Sequence, residues 1–233
     1  SLGIAAGVGI TSGASNTSLG NNAGRGVTTG RFNIAIGGEA LLSTTTSEFS
    51  TAVGYKALSG TNTVGRNSAL GYESLETMTS GTQNTGVGYK AGDGISTGSN
   101  NTMLGDSAGD ILTTGSNNIY IGTAAVASAI TSSNEIVIGT SISGLGSNTI
   151  SLGTSATTLI SGRNNGNINL GSTSQKFSSL HLNDGASLHM NNMTSPPANA
   201  TAAGTIGDIR FTTDHIYVCI ANNTWKRVAI ATF

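Results

Sequence analysis

The chain has 233 residues, a length that suits one or two domains, and only 9% of them are charged. With a net charge of −1 it has no electrostatic pull toward nucleic acid or an anionic membrane. Its single cysteine, Cys219, excludes an intrachain disulfide, and no apolar run is long enough for a membrane-inserted helix.

Residues 1–140 repeat a five-residue motif at a period of 17. It reads NTSLG at 16–20, NIAIG at 33–37, STAVG at 50–54 and NSALG at 67–71, then NTGVG at 84–88, NTMLG at 101–105 and NIYIG at 118–122. A fixed period of this length means a solenoid whose coils touch only their neighbours. The chain opens inside a repeat, so a longer parent chain is expected. Within the motif, aliphatic residues alternate with small or polar ones, the period-2 pattern of a strand. The residue ahead of each closing glycine is aliphatic (Leu2, Leu19, Ile36, Val53, Leu70, Val87, Leu104, Ile121, Ile138), and this column is expected to face inward. Three residues after the glycine stands a small residue, from Ala6 and Ala23 to Ala108 and Ala125, which marks a tight corner. The glycine is expected to supply a φ that other residues avoid. Second glycines at Gly13, Gly30, Gly81, Gly98 and Gly115 suggest two short strands and two turns per coil.

Stacked coils put equivalent residues one strand spacing apart, about 4.8 Å. Columns therefore carry information. Glu39, Lys56, Glu73 and Lys90 alternate in charge, Arg31 stacks on Glu48, and Phe32 stacks on Phe49. A hydroxyl column runs from Ser12 through Thr29 and Thr46 to Thr131. The asparagine column is Asn16, Asn33, Asn67, Asn84, Asn101 and Asn118, broken by Ser50. Both polar columns are read as structural ladders along the axis. So few inward aliphatics make a thin core, and a homo-oligomer is the natural remedy.

Residues 141–171 loosen: NTISLG at 148–153 closes 14 residues after Gly139, and NINLG at 167–171 closes 18 later. Residues 172–204 hold a predicted hairpin, two alternating runs around Asp184-Gly185, and then a linker with Pro196 and Pro197. Residues 205–233 give three strand-like runs, 208–211, 215–220 and 224–230, which read as a small β-meander with Trp225 in its core.

The repeat Asn-Thr/Ser-x-aliphatic-Gly-x-x-Ala resembles two groups of proteins. One is the β-roll head of trimeric autotransporter adhesins. The other is bacteriophage tail fibres and tail spikes, which NIAIGGEAL at 33–41, STAVGYKAL at 50–58 and NSALGYESL at 67–75 resemble closely. The segment 207–230 also resembles the short terminal segments of phage fibres. The resemblance covers roughly residues 1–171 and 205–230. It implies an all-β fold: a parallel β-solenoid of 17-residue coils, intertwined as a homotrimer, with a C-terminal β-meander tip. It implies a structural and host-attachment protein of a viral tail fibre, carried on the virion and extracellular when it works. The implied partners are two further copies of itself, an upstream fibre or virion protein, and a host cell-surface glycan or protein. The alternatives are an adhesin head, distinguished by a signal peptide and membrane anchor in its full gene, and a tail-spike polysaccharide depolymerase.

No catalytic constellation is visible. His181, His189 and His215 have no Ser/Asp or Cys partner at a recognisable spacing, and carboxylates are sparse. A depolymerase needs paired Asp/Glu in a groove, so a non-enzymatic protein without cofactors is expected. His181 and His189 flank the Asp184-Gly185 turn and could ring a trimer axis around a metal; the preferred reading is surface or hydrogen-bonded histidine. Tyr55, Tyr72 and Tyr89 form one column, which could stack on sugar faces or shield the coil seams. The turn residues Asp214, Asn222 and Asn223 are the preferred receptor contacts, because loops on a rigid scaffold carry recognition. An ice-binding reading of the threonine column fails, since adjacent threonines in a strand point to opposite faces.

Overall fold

The computed structural model describes residues 2–61, 65–154, 197–203, 206, 209–211 and 215–229. It forms two compact units, 1–163 and 164–233. The first is a parallel β-solenoid. Nine strands of three residues each form one sheet in chain order: β1 (Thr17–Leu19), β2 (Ile34–Ile36), β3 (Thr51–Val53), β4 (Ser68–Leu70), β5 (Thr85–Val87), β6 (Thr102–Leu104), β7 (Ile119–Ile121), β8 (Ile136–Ile138) and β9 (Ile150–Leu152). Each pairs in parallel with the residue 17 later, as in Ala35↔Ala52 and Ala52↔Ala69, until Val137↔Ser151 shortens the last step to 14. The expected motif at 167–171 and hairpin at 177–190 lie outside the described residues.

The strand ends after three residues because the next is a glycine with φ between 122° and 155°. A Cβ on Gly105 would stand 2.6 Å from the carbonyl oxygen of Gly122. Only hydrogen fits there, so the glycine column is a steric requirement of stacking.

Two expectations are corrected. Each coil has one strand, not two. The opposite wall turns through left-handed backbone at Leu41, Leu58 and Leu75 (φ 50°, 50° and 53°). It is held to the next coil by single bonds such as Leu41 N–H to the Ala57 carbonyl, 3.0 Å. A left-handed residue breaks the extended run a ladder needs. The aliphatic ahead of each glycine also faces outward. The buried asparagine that opens the motif points in, so alternation sends the next residue out, the third in and the fourth out. The inward column is therefore Ser18, Ala35, Ala52, Ala69, Gly86, Met103, Tyr120, Val137 and Ser151.

Core packing trades volume between two facing columns. Where the strand offers Ala35, Ala52 or Ala69, the opposite wall offers the buried leucines Leu41, Leu58 and Leu75. Where the strand offers Met103 or Tyr120, the wall shrinks to Gly92 and Gly109. A Cβ on Gly92 would lie 2.6 Å from Met103 Cε, and one on Gly109 would lie 2.8 Å from Met103 Cγ. Large opposite small keeps interior density constant along the rod. The small residue three after each glycine is buried as expected, from Ala23 to Ala125.

The asparagine column is a continuous buried ladder. Asn84 Oδ1 accepts from the Asn101 N–H and from Asn101 Nδ2, both at 3.0 Å, while Asn84 Nδ2 donates to the Gly98 carbonyl at 2.8 Å. The same set recurs at Asn101 with Asn118 and the Gly115 carbonyl. At the break, Ser47 and Ser50 share a hydroxyl bond of 2.9 Å, and Ser50 Oγ accepts the Asn67 N–H at 3.4 Å. The ladder ends on buried Glu135, whose N–H donates to Asn118 Oδ1 at 2.8 Å. Its carboxylate accepts from the Tyr120 hydroxyl (3.0 Å), Ser128 N–H (3.2 Å) and Gly146 N–H (2.9 Å), knitting in the shortened last coil. Burial, then the Glu135 carboxylate beside it, pushes the Tyr120 hydroxyl far above its ordinary range. The hydroxyl bonding to the next coil comes from Thr28, Thr79 and Thr113, each one residue before a member of the expected column. Thr29, Ser80 and Thr114 of that column are exposed and stack through their N–H groups.

In the second unit, β10 (Ile209–Phe211), β11 (His215–Ala221) and β12 (Thr224–Ala229) form the expected antiparallel meander. Asn222 and Asn223 make the turn, with Asn223 in left-handed backbone (φ 58°). Trp225 is buried; its indole N–H donates to the Ala202 carbonyl at 3.0 Å and its backbone N–H to that of Ala200 at 2.9 Å.

Replacing Asn84 by alanine strands the Asn101 N–H and the Gly98 carbonyl in the core. With each unsatisfied buried group costing ~1–3 kcal/mol, Asn84→Ala is expected to lose about 3 kcal/mol in denaturant unfolding. Thr29→Ala, at an exposed position, is expected to change stability by less than about 0.5 kcal/mol.

Candidate functional site

The left-handed residues after each glycine turn the chain at the edge of the sheet and set Tyr55, Tyr72 and Tyr89 above one another. The rings stack at centroid distances of 5.4 Å and 5.2 Å, with interplanar angles of 26° and 8°. Each remains about half exposed. Stacking uses up the inner ring faces, so within the column only the outer faces of Tyr55 and Tyr89 are unshared. Lys56 Nζ lies 5.7 Å from the Tyr55 ring centre and Lys90 Nζ 5.9 Å from that of Tyr89. Both ammonium groups are near the upper limit for attraction to a ring face.

Charges flank the rings. Lys90 pairs with Glu73 at 3.2 Å and with Asp93 at 3.8 Å. Lys56 pairs with Glu76 at 3.4 Å, which corrects the simple alternation expected for Glu39, Lys56, Glu73 and Lys90. The Glu73 carboxylate is engaged by the Tyr72 hydroxyl and Lys90, and Glu76 is the acid left within reach of Lys56. The Tyr72 hydroxyl bond holds the Glu73 carboxyl below its usual range; burial opposes it, and Lys90 adds to the lowering. The Glu73 bond in turn raises the Tyr72 hydroxyl. The Arg31–Glu48 pair at 3.0 Å and the Phe32–Phe49 stack at 5.1 Å form as expected.

Beside the tyrosines runs an acidic column that the linear reading missed: Glu76, Asp93 and Asp110, each 17 residues after the last. Burial raises the Asp93 carboxyl, opposed by Lys90 and reinforced by the charge of Asp110. Asp110 Oδ1 is buried with no hydrogen-bond partner. The signal was available at the period of the repeat, not within any one coil.

One outward column of the sheet is aliphatic from end to end, while its neighbour carries Thr17, Thr51, Ser68, Thr85 and Thr102. In the aliphatic column Leu19, Leu70, Leu104, Ile138 and Leu152 are each at least 39% exposed, and they stand in register with Ile36, Val53, Val87 and Ile121. An apolar stripe this long on one face is a surface made to be covered.

The preferred contact residues fare differently. Asn222 and Asn223 form the exposed turn between β11 and β12, and Asn222 Oδ1 accepts the Ile206 N–H at 3.3 Å. Asp214, His181 and His189 lie outside the described residues. Among the described residues no group of three His, Cys, Asp or Glu side chains could hold a metal ion.

Against this geometry stands one similarity to a known protein. Depolymerase 1, capsule K30/K69-specific, of Klebsiella phage K5-2, is 48% identical over 46 residues, which is 20% of this chain and 6% of the relative. The chain thus matches only a small part of that relative's length. No family model matches the chain, and no solved structure does. The match and the β-solenoid together fit a phage tail fibre or spike, a virion-associated and extracellular protein. The match also corrects the expectation of a non-enzymatic protein, because the relative is named for an enzymatic activity. Stacking also places acids 17 residues apart on neighbouring coils, where a search for paired carboxylates at short spacing does not see them.

Because the Glu73 carboxyl is held low in the folded chain, its contribution is present above the ordinary value of 4.5 and is lost as pH falls through the depressed folded value. Glu73→Gln is therefore expected to melt below the wild type at neutral pH, and the gap should close on acidification. Melting curves of both proteins across this range check it. Asp93, common to both, moves the other way, since a raised carboxyl loses stability as pH rises.

Proposed function

We propose that this chain is a segment of a phage tail fibre or tail spike that attaches the virion to a bacterial surface polysaccharide as a homotrimer. The outward aliphatic column carries the reading. It runs along nine stacked strands and gives identical chains a matching apolar seam on a stiff rod. The number three comes from the resemblance of the repeat to trimeric fibres. Three copies of each contact then act together, so weak individual binding becomes durable attachment. The exposed Asn222–Asn223 turn, Asp214 and the Tyr55/Tyr72/Tyr89 column are the positions proposed to touch the host. A host-surface glycan or protein and an upstream fibre or virion protein are the proposed partners.

One observation favours a second activity, cleavage of the bound polysaccharide. The relative is a named depolymerase, and Asp93, with its raised carboxyl, stands in an acidic column beside exposed tyrosines. A carboxyl raised by burial is the kind of group that serves as general acid in glycoside hydrolysis.

Light scattering of the purified chain is expected to give about three times 23.2 kDa. Leu70→Glu combined with Leu104→Glu places charges on the seam and is expected to yield monomer; a monomeric wild type would sink the proposal. Incubation with capsular polysaccharide from candidate hosts, followed by size-exclusion chromatography, separates the two activities. Attachment alone shifts the protein to the polysaccharide peak, whereas cleavage shortens the polysaccharide and is expected to be lost in Asp93→Asn.

A further inference from the structure

The second unit carries a concavity of about 610 Å³, lined by the 197–200 segment, Tyr217, Trp225, Lys226 and Arg227. Its size falls within the ~300–1,000 Å³ typical of small-molecule sites. The strand register builds it. Tyr217 stands opposite Arg227, and Cys219 opposite Trp225. Cross-strand partners share a face, as do residues two apart on one strand, so Tyr217, Trp225 and Arg227 project on the same side. The 197–203 segment is fastened along the β12 edge by the two Trp225 bonds to Ala200 and Ala202. These bonds fix Trp225 as a wall. Asn199 Oδ1 is held by the N–H and hydroxyl of Thr201, both at 3.0 Å, which leaves its Nδ2 as a donor.

The chemistry of the lining is one-sided. It offers two aromatic rings, a guanidinium and a carboxamide donor. The described residues of this unit include no carboxylate. Aromatic faces suit the C–H face of a pyranose, and either sign of sugar would use them. A guanidinium with no counter-ion among the described residues selects an anion, and its planar fork matches a carboxylate in two parallel bonds.

We propose that this concavity is a subsite for a carboxylate-bearing sugar, a uronic acid residue of a surface polysaccharide, with the half-buried Tyr217 against the ring, the buried Trp225 as the floor beneath it and Arg227 on the carboxylate. The assignment deepens the attachment reading and rests on it for the polymeric ligand.

Trp225 is the single tryptophan of the 233-residue chain, so its fluorescence reports on this site alone. The full chain is titrated with a glucuronate-containing oligosaccharide, and with the same oligosaccharide after its carboxyls are reduced to alcohols. A saturable change in emission is expected with the acid form, and binding at least about tenfold weaker with the reduced form, the loss expected for one charged hydrogen-bonded contact. Arg227→Met, which keeps the apolar stem, should weaken the acid form by a similar factor and leave the reduced form unchanged. Its circular dichroism and ligand-free emission should match the wild type. Equal binding of both forms, no titration at all, or an Arg227→Met protein that binds the acid form normally would each overturn the assignment. Cell-binding assays separate this from the attachment reading. A chain that adheres to encapsulated bacteria equally with and without Arg227→Met loses the subsite and keeps the attachment. A chain that titrates with the glucuronate but ignores every bacterial surface keeps the subsite and loses the attachment.

Discussion

Each buried asparagine of the ladder bonds in two directions at once. Its Oδ1 accepts the main-chain N–H of the residue one coil further on, and its Nδ2 donates to a carbonyl 14 residues ahead. The first bond sets the height between coils, and the second ties the strand to the end of the turn that enters the next one. A thin solenoid has little apolar area with which to choose a register. A carboxamide with one acceptor and two donors makes that choice, because a slip of one residue would leave all of them unpaired in the core. The outward direction of the aliphatic column follows from this. Once the asparagine must point in, alternation leaves the fourth residue of the motif no option but the outer face.

The same constraint accounts for two places where residues change together, although Val64 stands three before a retained Asn67. Gly30, Gly81 and Gly98 stand three before an asparagine, and a Cβ there would come within 3.0–3.1 Å of the asparagine Nδ2. Where the asparagine is replaced, at Ser50 and at Glu135, the glycine is replaced too, by Ser47 and Ser132. A shorter serine at 50 leaves room for the Ser47 side chain, and the two hydroxyls bond each other. At 135 the longer carboxylate turns toward Tyr120, Ser128 and Gly146, and Ser132 bonds Ser128 instead. The leucine-for-glycine exchange on the far wall obeys the same logic of space.

The period of 17, the glycine column, the small corner residue and the terminal meander were legible because each depends on local chemistry repeated many times. The inward face was misread because the aliphatic column was assumed to be the core. Ser18, Ala35, Gly86 and Tyr120 share no single chemistry, so the true inward column looks irregular until its partner wall is aligned with it. The second strand was misread because left-handed leucines at 41, 58 and 75 have no residue-level signature; glycine is the usual occupant of such backbone. At the candidate sites, the tyrosine stack was readable from the period. The Lys56–Glu76 pair was not, since it crosses between columns and depends on which acid the Tyr72 hydroxyl has already engaged.

A solenoid changes what proximity in sequence means. In an ordinary domain, chemistry gathers where loops converge. Here each coil delivers one copy of each position to a column, and neighbours in space are 17 apart in the chain. Acids too sparse to form a motif become the column of Glu76, Asp93 and Asp110, and tyrosines spread over three coils become one stacked surface. Partial burial raises the Asp93 carboxyl, Lys90 opposes the rise, and the charge of Asp110 adds to it. A repetitive solenoid can therefore gather acids and aromatic rings along its length simply by which residues occupy consecutive rungs.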